Sequence, residues 1–160
     1  MPAQYVKPYV KTKNEACRRL VAIPGVGPVT ATAVIAAIGN GAAFRKGREF
    51  AAWLGVVPRE YSTGGKQKLL GISKRGNSYL RRLFVQGARA VLQQSAKQSS
   101  GLSAWLAQLT SRTHRNVAGV ALANKLARMA WAVLTKNEHY RPPDVGQRGY
   151  SVTGLQMTPG

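Results

Sequence analysis

The sequence predicts a compact all-α domain with one long Gly-, Ser- and Lys-rich loop before its longest helix. Apolar residues recur at helical spacing through most of the chain, and Gly, Pro and Asn interrupt the pattern where helices would end. Apolar residues make up 44% of the 160 residues, which suffices for the core of one domain. We expect a lead segment at 1–13, the domain at 14–140 and a flexible tail at 141–160, because the tail is rich in Gly and Pro.

The first two helices have the pattern of a helix-hairpin-helix at about residues 15–39. A short helix ends near Ile23, and the turn Pro24–Gly27 interrupts it. An Ala-rich helix follows from Pro28, a residue that a first helical turn tolerates. Gly39 stands where this second helix would stop.

The glycines of this turn are candidate phosphate-binding residues. Glycine lets a backbone approach a phosphate closely, and the N–H groups at the start of the next helix can donate to it. Gly25 and Gly27 would therefore bind the nucleic-acid backbone without reading its sequence. A tight turn that only joins two packed helices is the alternative.

The remaining elements are a short helix, the long loop and three more helices. The short helix contains Phe50 and Trp53 and ends at Gly55, and the periodicity then vanishes over 56–75, which predicts a loop or an irregular hairpin. Two shorter apolar patterns close the domain, around 102–109 and 122–134. The long helix between them and the loop is capped by Asn77 or Ser78, and its apolar face comprises Leu80, Leu83, Phe84, Gly87, Ala88, Val91 and Leu92.

The charge of the chain indicates a polyanionic partner. Twenty-four Lys and Arg residues stand against 5 Asp and Glu residues, which gives a net charge of +19. Since most cations then lack a partner within the chain, nucleic acid is the leading candidate. Eleven of the cations lie between Phe44 and Arg89 with only two Glu, within the apolar periodic pattern. A solvated basic surface that only keeps the protein soluble is the alternative.

Other residue types exclude several classes of protein. The single cysteine, Cys17, allows neither an internal disulfide nor a structural zinc site. No apolar run approaches the roughly 18 residues of a membrane span and no secretory signal is evident, so we expect a cytoplasmic protein without membrane contact. His114 and His139 are isolated, and no metal site is expected because the acidic residues are scattered as Glu15, Glu49, Glu60, Glu138 and Asp144.

The long loop combines hydroxyl groups, glycines and cations. In Tyr61-Ser62-Thr63-Gly64-Gly65, a hydroxyl on a Gly-flanked loop can approach a phosphodiester while nearby cations stabilise the charge that develops on its oxygens. No histidine lies nearby to take the proton, and spacing alone favours a turn that only contacts phosphate. The candidate nucleic-acid-binding cations are Arg59, Lys66, Lys68, Lys74, Arg75, Arg81 and Arg82.

Three motifs occur in one order: IPGVGPVTATAVIAAIG, then FRKGREFAAWLGVVPREYSTGGKQKLLGISKRGNSYLRRLFVQGARAV, then NKLARMAWAVL. In this order they resemble the C-terminal transposase domain of the DEDD (Piv-like) insertion-sequence transposases, the bridge-RNA-guided serine recombinases. The resemblance covers roughly Glu15 to Tyr140. It implies a catalytic serine in the long loop, for which Ser62 is the first candidate and Thr63 the alternative, while Ser73 and Ser78 are the other nearby hydroxyls.

The resemblance also implies partners and an incomplete active site. Members of the family act on DNA, use a structured guide (bridge) RNA, assemble as oligomers in bacterial cytoplasm and carry an N-terminal RuvC-like domain whose carboxylates bind Mg²⁺. We expect no cofactor in this chain, Mg²⁺ in the absent RuvC-like domain, and a homo-oligomer in the assembled enzyme. The chain alone would then fold and bind without recombining DNA.

Two other functions are compatible with the same residues. One is a non-enzymatic nucleic-acid-binding module that uses the turn at Pro24–Pro28 and the basic long helix. The other is a protein-interaction scaffold that assembles through exposed apolar helix faces.

Overall fold

Six helices and one β-hairpin make up the part of the chain that the structure describes. The computed structural model describes residues 14–63, 66–72, 77–94 and 101–141. The helices are α1 (Glu15–Val21), α2 (Pro28–Ile38), α3 (Gly47–Leu54), α4 (Ser78–Gln94), α5 (Gly101–Thr110) and α6 (Arg115–Lys136), and the strands are β1 (Pro58–Thr63) and β2 (Lys66–Ile72). The predicted all-α class is confirmed, since helices and their connecting turns supply the described core. The prediction that the loop precedes the longest helix is wrong, because α4 has 17 residues and α6 has 22. The predicted lead at 1–13 and the tail beyond residue 141 lie outside the described residues.

Local backbone chemistry sets the ends of the helices where the sequence predicts them. Gly39, with φ 59°, ends α2, and Gly55, with φ 80°, ends α3. Both conformations are left-handed and favour glycine. The side-chain oxygen of Asn77 accepts a hydrogen bond of 3.0 Å from the N–H of Leu80, so Asn77 rather than Ser78 caps α4.

The segment predicted as a loop or irregular hairpin contains an antiparallel hairpin with one irregularity. Strands β1 and β2 pair in a register that shifts between Pro58 and Glu60 and is then regular as far as the Thr63–Lys66 pair. A register shift of this kind is typical of a β-bulge.

α6 is the central helix of the fold, because α1, α3, α4 and α5 all pack against it. The apolar faces predicted for α4 and α6 are confirmed as core. Buried side chains on α4 are Leu80, Phe84, Ala88 and Leu92, and those on α6 include Leu122, Leu126, Ala130, Val133 and Leu134. The aromatic ring of Phe84 meets that of Phe50 on α3 edge to face, with centroids 6.2 Å apart, which fixes α3 beside α4.

α6 is also long and apolar enough to cross a membrane by length and composition, with a mean hydropathy of 1.3 over its most apolar stretch. This stretch corrects the expectation that no apolar run approaches the length of a membrane span. However, 61% of it is buried inside the domain. This burial fits its place as the central core helix, on which four other helices pack.

Candidate nucleic-acid interface

The hairpin holds five of the predicted site residues. Arg59, Ser62 and Thr63 lie on β1, and Lys66 and Lys68 lie on β2. The hairpin therefore joins both hydroxyl candidates to three of the predicted cations within two paired strands.

Two further predicted cations of this segment, and one alternative hydroxyl, are not among the described residues. Lys74 and Arg75 lie outside the described residues, as does the alternative hydroxyl of Ser73. Their assignment stays a prediction from the sequence.

The register distinguishes the two hydroxyl positions. Ser62 is paired with Gln67, whereas Thr63 is paired with Lys66 and the preceding Tyr61 with Lys68. Positions directly opposite each other belong to one face of a hairpin, and consecutive positions alternate between faces. The Thr63 position therefore shares its face with the two lysine positions, and the Ser62 position belongs to the other face.

The turn between α1 and α2 brings Gly25 against α4. Gly25 has φ 83°, and a Cβ added there would lie 3.0 Å from the carbonyl oxygen of Gly87 and 3.0 Å from the side chains of Val91 and Leu126. A Cβ added to Gly87 would in turn overlap the carbonyl oxygen of Gly25. The backbones of the turn and of α4 thus meet without an intervening side chain. This geometry gives Gly25 a packing role, which is the alternative interpretation of the turn.

Gly27 lies in open space at the start of α2. It is the N-cap of α2 without a side-chain hydrogen bond to the helix end, and Pro28 follows as the first helical residue. A Cβ added at Gly27 would meet nothing within 4 Å. Of the two glycines predicted to contact phosphate, Gly27 is therefore the one whose surroundings leave room for a ligand at a helix N-terminus.

Arg81 and Arg82, predicted as a pair, have different environments. The Nη1 of Arg81 donates to the carbonyl oxygen of Leu54 at 3.4 Å. Leu54 is the last residue of α3, so Arg81 places its charge at a helix C-terminus, where cations are stabilising. Arg82 is exposed on the next position of α4. Arg81 therefore links α4 to α3, and Arg82 is the one presented to solvent.

A line of polar side chains on α4 extends the interface beyond the predicted residues. Tyr79, Arg82, Gln86, Arg89 and Gln93 are all exposed and recur at i, i+3, i+7, i+10 and i+14, which places them on one side of the helix. We term this line the α4 polar face. No Asp or Glu occurs on α4. The prediction for α4 used its apolar period, and the complementary polar period is the sequence signal that marks this face.

The two glutamates with ion pairs in the described structure are paired with arginines outside this face. Within the described chain, Glu15 pairs with Arg18 at 2.9 Å and Glu49 pairs with Arg45 at 3.5 Å, each within one helical turn. No group of three or more His, Cys, Asp or Glu among the described residues could hold a metal ion. The electrostatic character of the described surface is therefore positive, without an acidic centre.

Positive charge is also crowded within the core. Lys125 of α6 is only 6% exposed, and its ammonium lies 4.8 Å from the ring centroid of Trp105. Burial, and then the charge of Arg128, lowers the pKa of Lys125 to about 8. Burial likewise lowers the pKa of Arg128, with a smaller effect from Arg48. Lys125 is therefore buried and does not contribute to the α4 polar face, whereas Arg128 is half-buried and Arg48 is exposed.

The two histidines remain apart in the structure. His114 is the N-cap of α6, where its Nδ1 accepts a hydrogen bond of 3.1 Å from the N–H of Asn116. His139 is exposed beyond the C-terminal end of α6. The geometry therefore gives His114 a capping role.

Comparison with known proteins identifies the class to which this basic helical domain belongs. Residues 17–104, which include the glycine turn, the hairpin and α4, match the transposase IS116/IS110/IS902 family. The chain therefore belongs to this family of insertion-sequence transposases, which confirms the predicted resemblance at that level.

Particular relatives agree with this assignment. The chain is 53% identical over 125 residues to a probable family 20 transposase of Pseudomonas aeruginosa, covering 78% of the chain and 37% of the relative. It is 48% identical over 132 residues to the transposase for insertion sequence element IS1111A of Coxiella burnetii (82% and 36%), and 49% identical over 123 residues to the transposase for IS1328 of Yersinia enterocolitica (77% and 37%). The chain thus spans somewhat more than a third of the length of these relatives.

Proposed function

We propose that this chain is the part of an insertion-sequence transposase that binds DNA and supplies the hydroxyl nucleophile for strand cleavage and transfer. The observation that carries the proposal is the hairpin, in which Thr63 pairs with Lys66, the neighbouring Ser62 pairs with Gln67, and Lys68 lies opposite Tyr61. This hairpin lies inside the range that matches the transposase family. The lack of an acidic centre in the described chain supports a role in binding phosphate.

The proposed chemistry exchanges one phosphodiester for another. The hydroxyl oxygen of Ser62 attacks the phosphorus of a DNA phosphodiester, a bond from this oxygen to phosphorus forms, and the bond to one strand oxygen breaks. The hydroxyl proton ends on that departing strand oxygen. A second strand hydroxyl then attacks the phosphoserine, which restores the Ser62 hydroxyl. Because each step conserves a phosphoester bond, no nucleotide triphosphate is consumed.

Cations assist both steps by stabilising the negative charge that grows on the phosphoryl oxygens. The proposed contributors are Arg59, Lys66 and Lys68 on the hairpin, with Lys74, Arg75 and Arg82 after it. Gly27 would admit a backbone phosphate at the start of α2. These contacts bind phosphates and give affinity without sequence preference.

The remaining parts of the enzyme are proposed from the resemblance. An N-terminal RuvC-like domain would supply carboxylates and Mg²⁺, and the described residues of this chain, which lack a suitable ligand group, do not fit such a site. A structured guide RNA and a homo-oligomeric assembly belong to the same proposal. Sequence choice would then lie in base pairing, and this domain would hold backbones.

The test is strand exchange by the transposase of which this domain is a part, acting on a plasmid that carries its insertion sequence. We expect Ser62→Ala to abolish exchange and the covalent protein–DNA adduct on denaturing gels while DNA affinity stays within twofold. Ser78→Ala, an exposed hydroxyl on the first turn of α4, is the matched control and should retain exchange. Loss of the adduct in Thr63→Ala, with retention in Ser62→Ala, would move the nucleophile to Thr63, whose position shares a face with Lys66 and Lys68. Full exchange by both variants would overturn the serine chemistry and leave a non-enzymatic nucleic-acid-binding module.

A further inference from the structure

A pocket between α4 and α6 has the composition of a phosphate site that lies apart from the hairpin. Its volume is about 120 Å³. Arg89 and Gln93 reach it from the C-terminal half of α4, and Arg115 and Asn116 reach it from the first turn of α6. Apolar groups, among them Val85 and Leu92, form its other walls. Two arginines and two amide-bearing residues from different helices therefore line one concavity.

Neither of the two glutamates with an ion pair in the described structure neutralises this pocket. Arg89 and Arg115 are both exposed, and the ion pairs of Glu15 and Glu49 involve other arginines. Acidic residues are absent from the first turn of α6, where they would ordinarily balance the positive end of the helix dipole. Arg115 is the first residue of that helix instead. The helix end and the two guanidinium groups thus add positive charge at the same place.

This arrangement selects a phosphate as the ligand. Guanidinium groups bind phosphate oxygens through paired, charge-assisted hydrogen bonds, and amide side chains can donate to the oxygens that remain. The pocket also lies at one end of the α4 polar face, which continues through Arg82 and Tyr79 toward the hairpin side of α4. A helix of 17 residues is about 25 Å long, a distance over which a nucleic acid presents several phosphates.

We propose that this pocket binds a backbone phosphate of the same nucleic acid that the hairpin engages. The proposal rests on the proposed nucleic-acid function and adds a second contact at the far end of α4. Arg89 and Arg115 hold the phosphate, and Gln93 and Asn116 orient it.

The first experiment measures binding of fluorescent duplex DNA and of an RNA hairpin to the full 160-residue chain over a range of salt concentrations. We compare Arg89→Gln/Arg115→Gln with the charge-matched control Lys136→Gln/Arg141→Gln, whose exposed residues lie at the opposite end of α6. The pocket variant should weaken binding about tenfold and lower the magnitude of the salt slope by about one, as expected for the loss of one phosphate contact, while the control weakens binding less than threefold. Equal losses of affinity in the two double variants would overturn the proposed pocket, because binding would then depend only on the net charge of the chain. Selective loss on only one of the two probes identifies which nucleic acid supplies the phosphate.

A second measurement separates failure of the pocket from failure of the proposed function. Titration of the ¹⁵N-labelled chain with inorganic phosphate should shift the amide signals of Asn116 and Gly119, which line the pocket, and the shifts should vanish in Arg89→Gln/Arg115→Gln. If phosphate causes saturable shifts but the chain binds no nucleic acid, the proposed function is refuted and the pocket is still an anion-binding site. Nucleic-acid binding without phosphate shifts, and with equal losses in the two double variants, would refute the pocket and retain the function. Thermal unfolding of both double variants verifies that they fold.

Discussion

Replacing Gly87 by alanine tests whether the contact between the glycine turn and α4 stabilises the fold. A Cβ on Gly87 would overlap the carbonyl oxygen of Gly25 and lie 3.0 Å from its carbonyl carbon. The turn cannot easily move away from α4, because Ile23 and Val26, which flank Gly25, are 1% and 3% exposed and such a movement would expose them to solvent. Overpacking costs about 1–3 kcal/mol, and backbone against backbone belongs at the upper end, about 3 kcal/mol. Alanine is more favourable than glycine in a helix by about 1 kcal/mol, so the net loss in the free energy of unfolding is about 2 kcal/mol.

The assay is thermal and urea unfolding followed by circular dichroism at the helical band. For a chain of this size, a loss of about 2 kcal/mol lowers the Tm by roughly 4–8 °C. The matched control is Gly119→Ala on α6, where an added Cβ would make only an ordinary contact of 3.6 Å with Leu92. That variant should gain about 0.5–1 kcal/mol from helix propensity. If Gly87→Ala were as stable as the wild type, or gained as Gly119→Ala does, the reasoning about this contact would be refuted.

Three further predictions use pairs of variants or pairs of conditions. Gly25→Ala should lower the free energy of unfolding by about 2 kcal/mol, because of its left-handed φ and close contacts. Gly27→Ala should lower it by no more than about 0.5 kcal/mol and should instead weaken DNA binding. Urea unfolding measures the stability of both variants, and fluorescence anisotropy measures their DNA binding. Lys125→Met should stabilise the domain by about 2 kcal/mol at pH 7, because the folded state then no longer buries a charge. This gain should shrink as pH rises from about 8, where the folded lysine loses its proton, through 10.5, above which the lysine is mostly neutral in both states. A pH series of unfolding curves measures the gain, and a difference that stays constant with pH would contradict the prediction. Arg82→Gln should weaken DNA binding with unchanged Tm, and Arg81→Gln should lower the Tm, so identical behaviour of the two variants would count against their different environments.

Local signals in the sequence suffice for the helices and their ends. Gly39 and Gly55 stop α2 and α3 because each adopts a left-handed conformation that other residues disfavour, and this requirement is visible in one sequence. The apolar spacing of α4 and α6 likewise depends only on the helical period, so their buried residues follow directly. The membership of the transposase family was predictable for a related reason, since its motifs are contiguous stretches of residues.

Contacts between segments far apart in the sequence could not be predicted from these local signals. Nothing local to Gly25 reveals that its carbonyl oxygen lies against Gly87, because the two meet only once the turn has packed on α4. The same holds for Arg81, whose partner is a carbonyl oxygen 27 residues earlier. Both were predicted as phosphate ligands from their residue types, and tertiary structure supplied a packing role for one and a helix-end contact for the other. The pocket residues Arg89 and Arg115 come together for the same non-local reason.

α4 contacts the glycine turn and borders the pocket, and thereby fixes the spacing of these two parts of the proposed site. Its N-terminus follows the hairpin, its middle meets the glycine turn that begins α2, and its C-terminal half borders the pocket. Phosphoryl transfer requires a nucleophile within about 3–3.5 Å of phosphorus in a suitable orientation, so a backbone held at one point can still pivot away from the hydroxyl. A second phosphate contact, in the pocket, would restrict that rotation of the nucleic acid. Under the proposed function, the pocket therefore helps to align the phosphodiester with the attacking hydroxyl. Loss of Arg89 and Arg115 should then reduce strand exchange by more than the loss of DNA affinity alone explains.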